Sequence, residues 1–421
     1  MGRTMIEKML GSHGGGDCGP GDIIWLEVDN RTARDFAGAN VVANLEQYGG
    51  EKPIEDPGKT FFTFDCNVPA NTIPYANNQH RIRMFARKHG LRVYDVDYGI
   101  GSHVLIEEKL AGPGSTTVGT DSHLNIMGAV GAFGQGMGDL DIAFTFKTGT
   151  TWFEVPPSVR IDLTGTPSSD EVEAKDLALL LLGRFRGHEL LGRSVEIYGD
   201  WVERASLEDC ITVASQATEM GAIIALFPPN ASVLGHFGMS REEAVYADPD
   251  ASYQATYEVG ISELEPLVAC PPGPTNVRPV SGFTEPVPVD SVFLGSCTNG
   301  TLQDMELAAR LLEGRKVHPG VMLRVVPATR KVWGEMLRRG LLDIIFEAGG
   351  ILSNPGCGGC AAGQIGMTGR GEVQISTSNR NFTGKQGDGD TYLAGVGTAV
   401  ASAVLGRLAS VHDLQAKGGR R

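Results

Sequence analysis

Three cysteines sit in glycine-rich loops of the kind that can wrap an inorganic core. Cys297 lies in G-S-C-T-N-G, and Cys357 and Cys360 lie in N-P-G-C-G-G-C. Glycine lets the backbone approach closely and turn its N–H groups toward bridging sulfides. A fully protein-ligated iron–sulfur cluster takes four thiolates. Cys18, Cys210 and Cys270 stand in unrelated contexts, so three ligands are expected. Three ligands on a [4Fe–4S] cubane leave one iron open, which separates a catalytic metal from a structural one. The bland alternative is a buried apolar Cys297 beside a C-x-x-C that binds zinc or exchanges thiols. A lone C-x-x-C would serve either reading; the additional G-S-C-T-N-G loop shifts the weight to a cluster.

The elements around these loops alternate. Apolar S-V-F-L-G is followed by helical Q-D-M-E-L-A-A-R-L-L-E-G-R-K, apolar V-M-L-R-V-V-P and helical R-K-V-W-G-E-M-L-R-R-G. Such alternation predicts a parallel sheet covered by helices, with ligands at the carboxyl ends of the strands. G-S-C-T-N-G, N-P-G-C-G-G-C and S-T-S-N-R-N-F all fall on that edge. Upstream, Pro156-Pro157 precedes strand-like S-V-R-I-D-L-T-G, a helix A-K-D-L-A-L-L-L-L-G-R-F and a strand S-V-E-I-Y-G-D. A further helix begins at Ser206, where S-L-E-D resembles a capping box. The Pro-rich stretch from Cys270 to Asp290 reads as an extended linker.

The chain has 421 residues, 41% of them hydrophobic, with 57 glycines. That length exceeds what one hydrophobic core serves, so an α/β protein of two or three domains is expected. A formal charge of −14 argues against nucleic acid or an anionic membrane surface. An anionic substrate then needs local positive charge in its site. The N-terminus lacks the apolar core of a signal peptide, and the small-apolar run from Ala394 to Leu405 falls short of a membrane span. Ile6 breaks the Ser/Thr requirement of a myristoylation signal. A cytoplasmic protein is expected. Seven cysteines are an odd, sparse set, better suited to metal or thiol chemistry than to a disulfide framework.

Taken with V-G-T-D-S-H (Val118 to His123) and S-T-S-N-R-N-F-T-G-K (Ser376 to Lys385), these loops make the sequence resemble the aconitase superfamily. It is most similar to the stand-alone large subunits of the 3-isopropylmalate dehydratase and homoaconitase type, from E-K-M-L near Glu7 to the small-residue helix after Tyr392. The resemblance implies three α/β domains of the aconitase iron–sulfur type around a central cluster, divided here at 1–156, 157–283 and 284–421. It implies a [4Fe–4S] hydro-lyase/isomerase that moves a hydroxyl between adjacent carbons of a hydroxy-carboxylate through dehydration and rehydration. Cys297, Cys357 and Cys360 correspond to the cluster ligands. His103 and His123 correspond to active-site histidines, Asp121 to the carboxylate paired with the first and Glu219 to that paired with the second. Such pairing would fix each ring's tautomer and raise its pKa. Ser122 and Arg380 resemble substrate-carboxylate contacts, Arg380 by a two-pronged hydrogen bond. Asn379 sits beside the cluster in the family pattern. His13, His80, His89, His188, His236, His318 and His412 are read as solvated or satisfied side chains.

The sequence departs from the pattern at four places. Cys66 follows Asp65 where an Asp-His pair is usual, and a thiol neither orients nor protonates a leaving hydroxyl as imidazole does. Lys385 replaces an Arg, exchanging a planar fork for a point charge. Ser215 replaces an Asn, and Gly359 replaces a Pro and loosens its turn. Cys66, Lys385 and Ser215 are expected to face the substrate or the cluster. They suggest a specialised paralogue acting on a non-standard substituted malate; the alternative is a catalytically impaired iron–sulfur homologue with a sensing or regulatory binding role. An electron carrier is the third reading, and three ligands suit it poorly. The chain ends shortly after the last cluster-domain helix, so the family's swivelling domain is expected on a separate small subunit.

Overall fold

The computed structural model describes residues 2–361 and 364–418. Three mainly parallel sheets organise the chain. The first has five parallel strands in the order Arg92–Tyr94, Thr60–Thr63, Asn30–Arg34, Thr116–Gly119 and Phe133–Gly136. Its inner strands Thr60–Thr63 and Thr116–Gly119 are buried along their whole length. Burial on both faces is the ordinary state of a parallel sheet between helices. The strands Ile23–Glu27 and Thr150–Glu154 form an antiparallel ribbon beside it.

The second sheet runs Ile224–Leu226, Ser194–Tyr198, Ser158–Thr164 and Ala255–Gly260, again all parallel. The expected strands and helices of this region form. Ala174–Arg184 is helical, and Ser206 caps the helix Leu207–Ala214 by accepting from Asp209 N at 3.0 Å while Asp209 accepts from Ser206 N at 3.0 Å.

The third sheet has seven strands, in the order Val277–Pro279, Leu267–Ala269, Asp390–Ala394, Val373–Ser376, Ser291–Leu294, Met322–Val325 and Ile351–Leu352. The last five are parallel, with the helices Leu302–Leu312 and Arg330–Arg338 crossing over between them. The Pro-rich stretch expected as a linker is part of this sheet. Val277–Pro279 pairs antiparallel with Leu267–Ala269, which pairs with Asp390–Ala394. Proline is tolerated there because Val277–Pro279 is an edge strand. The third sheet therefore starts at Leu267.

One buried core joins the sheets. It contains Ile126 and Val130 from the first region, Leu181 and Ile211 from the second, and Cys297, Ala328 and Cys357 from the third. The cysteine loops are thus rooted in apolar packing shared by all three layers. Among the described residues, no helix is long and apolar enough to cross a membrane.

Candidate active site

The carboxyl ends of the first and third sheets converge on one cleft of about 530 Å³. Arg34 ends its strand, Asp65 and Cys66 follow the strand Thr60–Thr63, and Asp121 to His123 follow Thr116–Gly119. From the third sheet, Cys297 follows Ser291–Leu294 and Asn379 and Arg380 follow Val373–Ser376. Cys66, Asp121, Ser122, His123, Cys297, Cys357, Cys360, Asn379, Arg380 and Lys385 all line this cleft. None of the seven histidines read as solvated or satisfied lines it.

Hydrogen bonds across strands hold the cysteine loops. Gly295 N donates to Thr377 Oγ1 at 3.0 Å, Thr377 Oγ1 donates back to Gly295 O at 3.1 Å, and Thr298 Oγ1 donates to Thr377 O at 2.6 Å. Ser296 adopts φ +76°, a left-handed conformation unusual for a non-glycine residue and one often found at functional turns. This turn places Cys297 at the sheet edge, where its thiol donates to Asn379 Oδ1 at 3.2 Å. Asn379 Nδ2 donates to Ser215 O at 2.9 Å. Gly359 does more than loosen a turn: a Cβ there would lie 3.1 Å from Gly366 O, so two backbones pack directly against each other.

The donor set fits an iron–sulfur group. Burial pushes the thiols of Cys297 and Cys360 up, and repulsion from the neighbouring cysteines pushes them further. A cationic metal core reverses both effects, because each ligand binds as thiolate.

Glu219 is buried behind the cleft. Its Oε1 accepts from His123 Nε2 at 3.0 Å and from Arg380 Nε at 2.5 Å. Burial raises its pKa, but His123 and Arg380 together bring it below the usual value. The expected Glu219–His123 pair therefore exists. The expected Asp121–His103 pair does not. His103 Nε2 donates instead to Cys297 O at 2.9 Å, and burial lowers the pKa of its ring rather than raising it. Asp121 Oδ1 accepts from Arg34 Nη1 at 2.9 Å and from His123 N at 3.0 Å. Ser215 also differs from expectation, since its Oγ donates to Thr212 O at 2.8 Å within its own helix turn and lines no part of the cleft. The Asp65–Cys66 pair forms, with the thiol donating to Asp65 Oδ1 at 3.3 Å.

Arg34 is the central residue that motif reading missed. Its Nε donates to Asp65 Oδ1 at 2.7 Å, Nη1 to Asp121 and Nη2 to Cys357 Sγ at 2.6 Å. Burial pushes Asp65 up to about 6 despite this contact. Asp35 was missed as well: it accepts from the N–H groups of Asp65, Cys66 and Asn67 at 3.0–3.2 Å and so shapes the whole turn. Tyr75 lines the cleft with a hydroxyl that has no partner among the described residues.

Lys175 lies fully buried beneath the S-T-S-N loop, donating to the carbonyls of Thr377 at 3.2 Å and Ser378 at 2.9 Å. Burial lowers its pKa to about 8. The unfolded chain therefore binds the extra proton between about pH 8 and the ordinary lysine value. The stability cost is complete below pH 8 and is relieved as pH rises through that window. Lys175→Met is expected to raise the thermal midpoint of the cluster-free chain at pH 7 and to lose this advantage by pH 10, by about 3 kcal/mol from the shift. An equal effect at both pH values would contradict a buried, charged Lys175.

The fold and the cleft have relatives. The aconitase family (aconitate hydratase) matches residues 7–406. The 3-isopropylmalate dehydratase large subunit 1 of Methanopyrus kandleri is 39% identical over 97% of this chain and 98% of its own length. The 3-isopropylmalate dehydratase large subunit of Aquifex aeolicus is 38% identical over 97% of each. Among solved structures, the holo-form of Thermococcus kodakaraensis aconitase X shares the fold with a TM-score of 0.51, at 13% identity over 89% of each chain. Matched along nearly its whole length at this level of identity, the chain belongs to the aconitase family.

Proposed function

We propose that this chain is the cluster-bearing large subunit of a two-subunit, [4Fe–4S]-dependent hydro-lyase of the cytoplasm. It acts by moving a hydroxyl between adjacent carbons of a substituted malate. One observation carries this reading: the thiols of Cys297, Cys357 and Cys360, the cations Arg34, Arg380 and Lys385, and a carboxylate-held histidine line a single cleft at the carboxyl edges of two sheets. Relatives sharing 36–39% of its residues over nearly the full length are named as dehydratase large subunits. The chain is a hydro-lyase by family, and the partner is a small subunit that closes the cleft. Three units frame it, the first ending near 156 and the third beginning at the strand Leu267–Ala269 rather than at 284.

When bound by Cys297, Cys357 and Cys360, the cluster supplies the Lewis acidity that polarises a departing hydroxyl. The chain's own residues do the rest. Arg380 spends its Nε on Glu219 and keeps both Nη groups for a substrate carboxylate. Lys385 has no carboxylate partner among the described residues and serves the second carboxylate as a point charge. Ser122 is exposed at the rim and offers a hydroxyl to the same anion. His123, held by Glu219, delivers or accepts the proton at the hydroxyl. His103 lies outside the cleft lining and, kept neutral by burial, braces the Cys297 loop through its carbonyl. Asn379 positions Cys297, and the Asp65–Cys66 pair replaces an imidazole by a neutral thiol.

Two variants probe the site. Glu219→Gln removes the anion that orients both His123 and Arg380, and kcat is expected to fall by on the order of 10²-fold or more with the cluster absorbance retained. Cys66→His is expected to keep the cluster and change rate or substrate preference; loss of the cluster in Cys66→His contradicts the assigned position of Cys66. The reading as a whole is tested by proton exchange into citrate, homocitrate and isopropylmalate by the anaerobically reconstituted chain with its small subunit. Exchange into a substituted malate supports it, and none across the series sinks it.

A further inference from the structure

Cys66 and Cys357 come from sequence segments far apart, yet their sulfurs lie within 4.8 Å of each other and of an Asp65 carboxylate oxygen. The two backbones are tied directly, with Cys357 N donating to Asp65 O at 2.9 Å. Asp35 locks the Cys66 turn from below through three backbone N–H groups. A disulfide needs adjacent Cα positions and Cβ atoms about 3.5–4.5 Å apart. The backbone bond from Cys357 to the residue before Cys66, with the two sulfurs already within 4.8 Å, places the pair in the neighbourhood that such a bond requires. Both thiols line the cleft, so a small oxidant reaches them although each residue is otherwise buried.

We propose that Cys66 is the redox partner of Cys357, forming a reversible Cys66–Cys357 disulfide whenever the cysteine nest is free of metal and peroxide is present. In the first step hydrogen peroxide oxidises one thiol to a sulfenic acid and leaves as water. The second thiol then attacks that sulfur, the S–S bond forms, and the sulfenic oxygen departs as a second water. Two electrons pass from the two sulfurs to one peroxide. Bond formation itself is independent of the cluster assignment. Its consequence rests on that assignment: the disulfide withdraws Cys357 from metal binding while shielding it from irreversible oxidation to sulfinic or sulfonic acid, and a thiol reductant restores it.

Cys360 is the competing partner, since C-x-x-C spacing also permits a disulfide. It lies in the turn that follows Cys357, with its N–H bonded to Cys357 O at 3.3 Å, whereas the Cys66 sulfur reaches within 4.8 Å of the Cys357 sulfur from a separate loop. A bound cluster occupies Cys357, so the loaded protein is expected to keep Cys66 as a free thiol.

The test uses the full chain, stripped of metal by a chelator under anaerobic conditions and then treated with stoichiometric hydrogen peroxide. After alkylation of the remaining thiols, peptide mapping is expected to show the Cys66 and Cys357 peptides joined, with two fewer free thiols per chain. Dithiothreitol is expected to restore both thiols and full capacity to take up iron and sulfide. In Cys66→Ser, raising the peroxide to several equivalents is expected to drive Cys357 to sulfinic or sulfonic acid, which consume two and three peroxides, with a lasting loss of uptake that the wild-type chain escapes under the same excess. A Cys357–Cys360 or Cys297–Cys357 linkage, or a Cys66 that stays free in the oxidised chain, overturns the proposal. If the disulfide forms but the untreated chain never takes up iron and sulfide, the cluster assignment fails and the disulfide stands.

Discussion

Cys297→Ser is expected to give a folded chain with no stable cluster and no detectable turnover. Serine keeps a donor facing Asn379 Oδ1 in place of the thiol, and the Gly295–Thr377–Thr298 bracing does not involve the cysteine side chain. The loss therefore falls on metal binding, where a thiolate is the ligand that iron–sulfur chemistry requires. Far-UV circular dichroism should match wild type while visible absorbance and iron content fall together. Cys18→Ser is the control: Cys18 donates to Glu7 O and lines no part of the cleft, so its cluster content should be unchanged. Retention of a full cluster by Cys297→Ser would remove this residue from the ligand set.

Arg34→Met should be the most damaging single change outside the cysteines. The guanidinium joins Asp65, Asp121 and Cys357, and its side chain is only 14% exposed. Removing it leaves two buried carboxylates without their cation, a change that typically costs about 3–5 kcal/mol. The pH dependence has a definite sign. Burial pushes Asp121 up, but Arg34 and His123 bring its folded value below the ordinary one. In wild type that contribution is present above the unfolded carboxylate value and lost as pH falls through the folded one. Asp65, already pushed up to about 6 by burial, contributes the opposite way: its ionisation costs stability as pH rises from the ordinary value through 6. Without Arg34 both carboxyls move upward, so both oppose folding at neutral pH. The thermal midpoint of cluster-free Arg34→Met should therefore fall further below wild type at pH 8 than at pH 5. A deficit independent of pH would show that packing, not charge, is what Arg34 supplies.

The readable parts of this protein are those whose chemistry is local. The two cysteine loops announce themselves by glycine and cysteine spacing within a few residues, and Ser206 with Asp209 forms the capping box that its four-residue pattern implies. The strands Ser291–Leu294 and Met322–Val325 stand out because they are short apolar runs between amphipathic helices. The strand Asn30–Arg34 is hidden for the opposite reason. N-R-T-A-R has no apolar pattern, and it becomes a central strand only because Thr60–Thr63 and Thr116–Gly119 pair with it on both sides. Arg34 was invisible with it, since its partner Cys357 is 323 residues away. The pairing of Asp121 failed for a related reason. Motif reading assigned the carboxylate to a histidine, while the buried Arg34, which outcompetes it, belongs to another strand. Ser215 was expected in the site because it precedes Glu219 in the motif, but its hydroxyl is satisfied by the carbonyl of Thr212 and only its backbone reaches Asn379. The Pro-rich stretch reads as a linker on composition, which does not register that an edge strand accommodates proline.

The central claim is that three cysteines hold a four-iron cluster with one iron left for substrate. Its most direct test is the Mössbauer spectrum of the chain reconstituted anaerobically with iron-57 and sulfide, recorded before and after adding isopropylmalate. Three irons in tetrahedral sulfur ligation and a fourth whose signal alone shifts with the hydroxy acid are expected. Four equivalent irons indifferent to the acid, or a chain that retains zinc and takes up no sulfide, would contradict it.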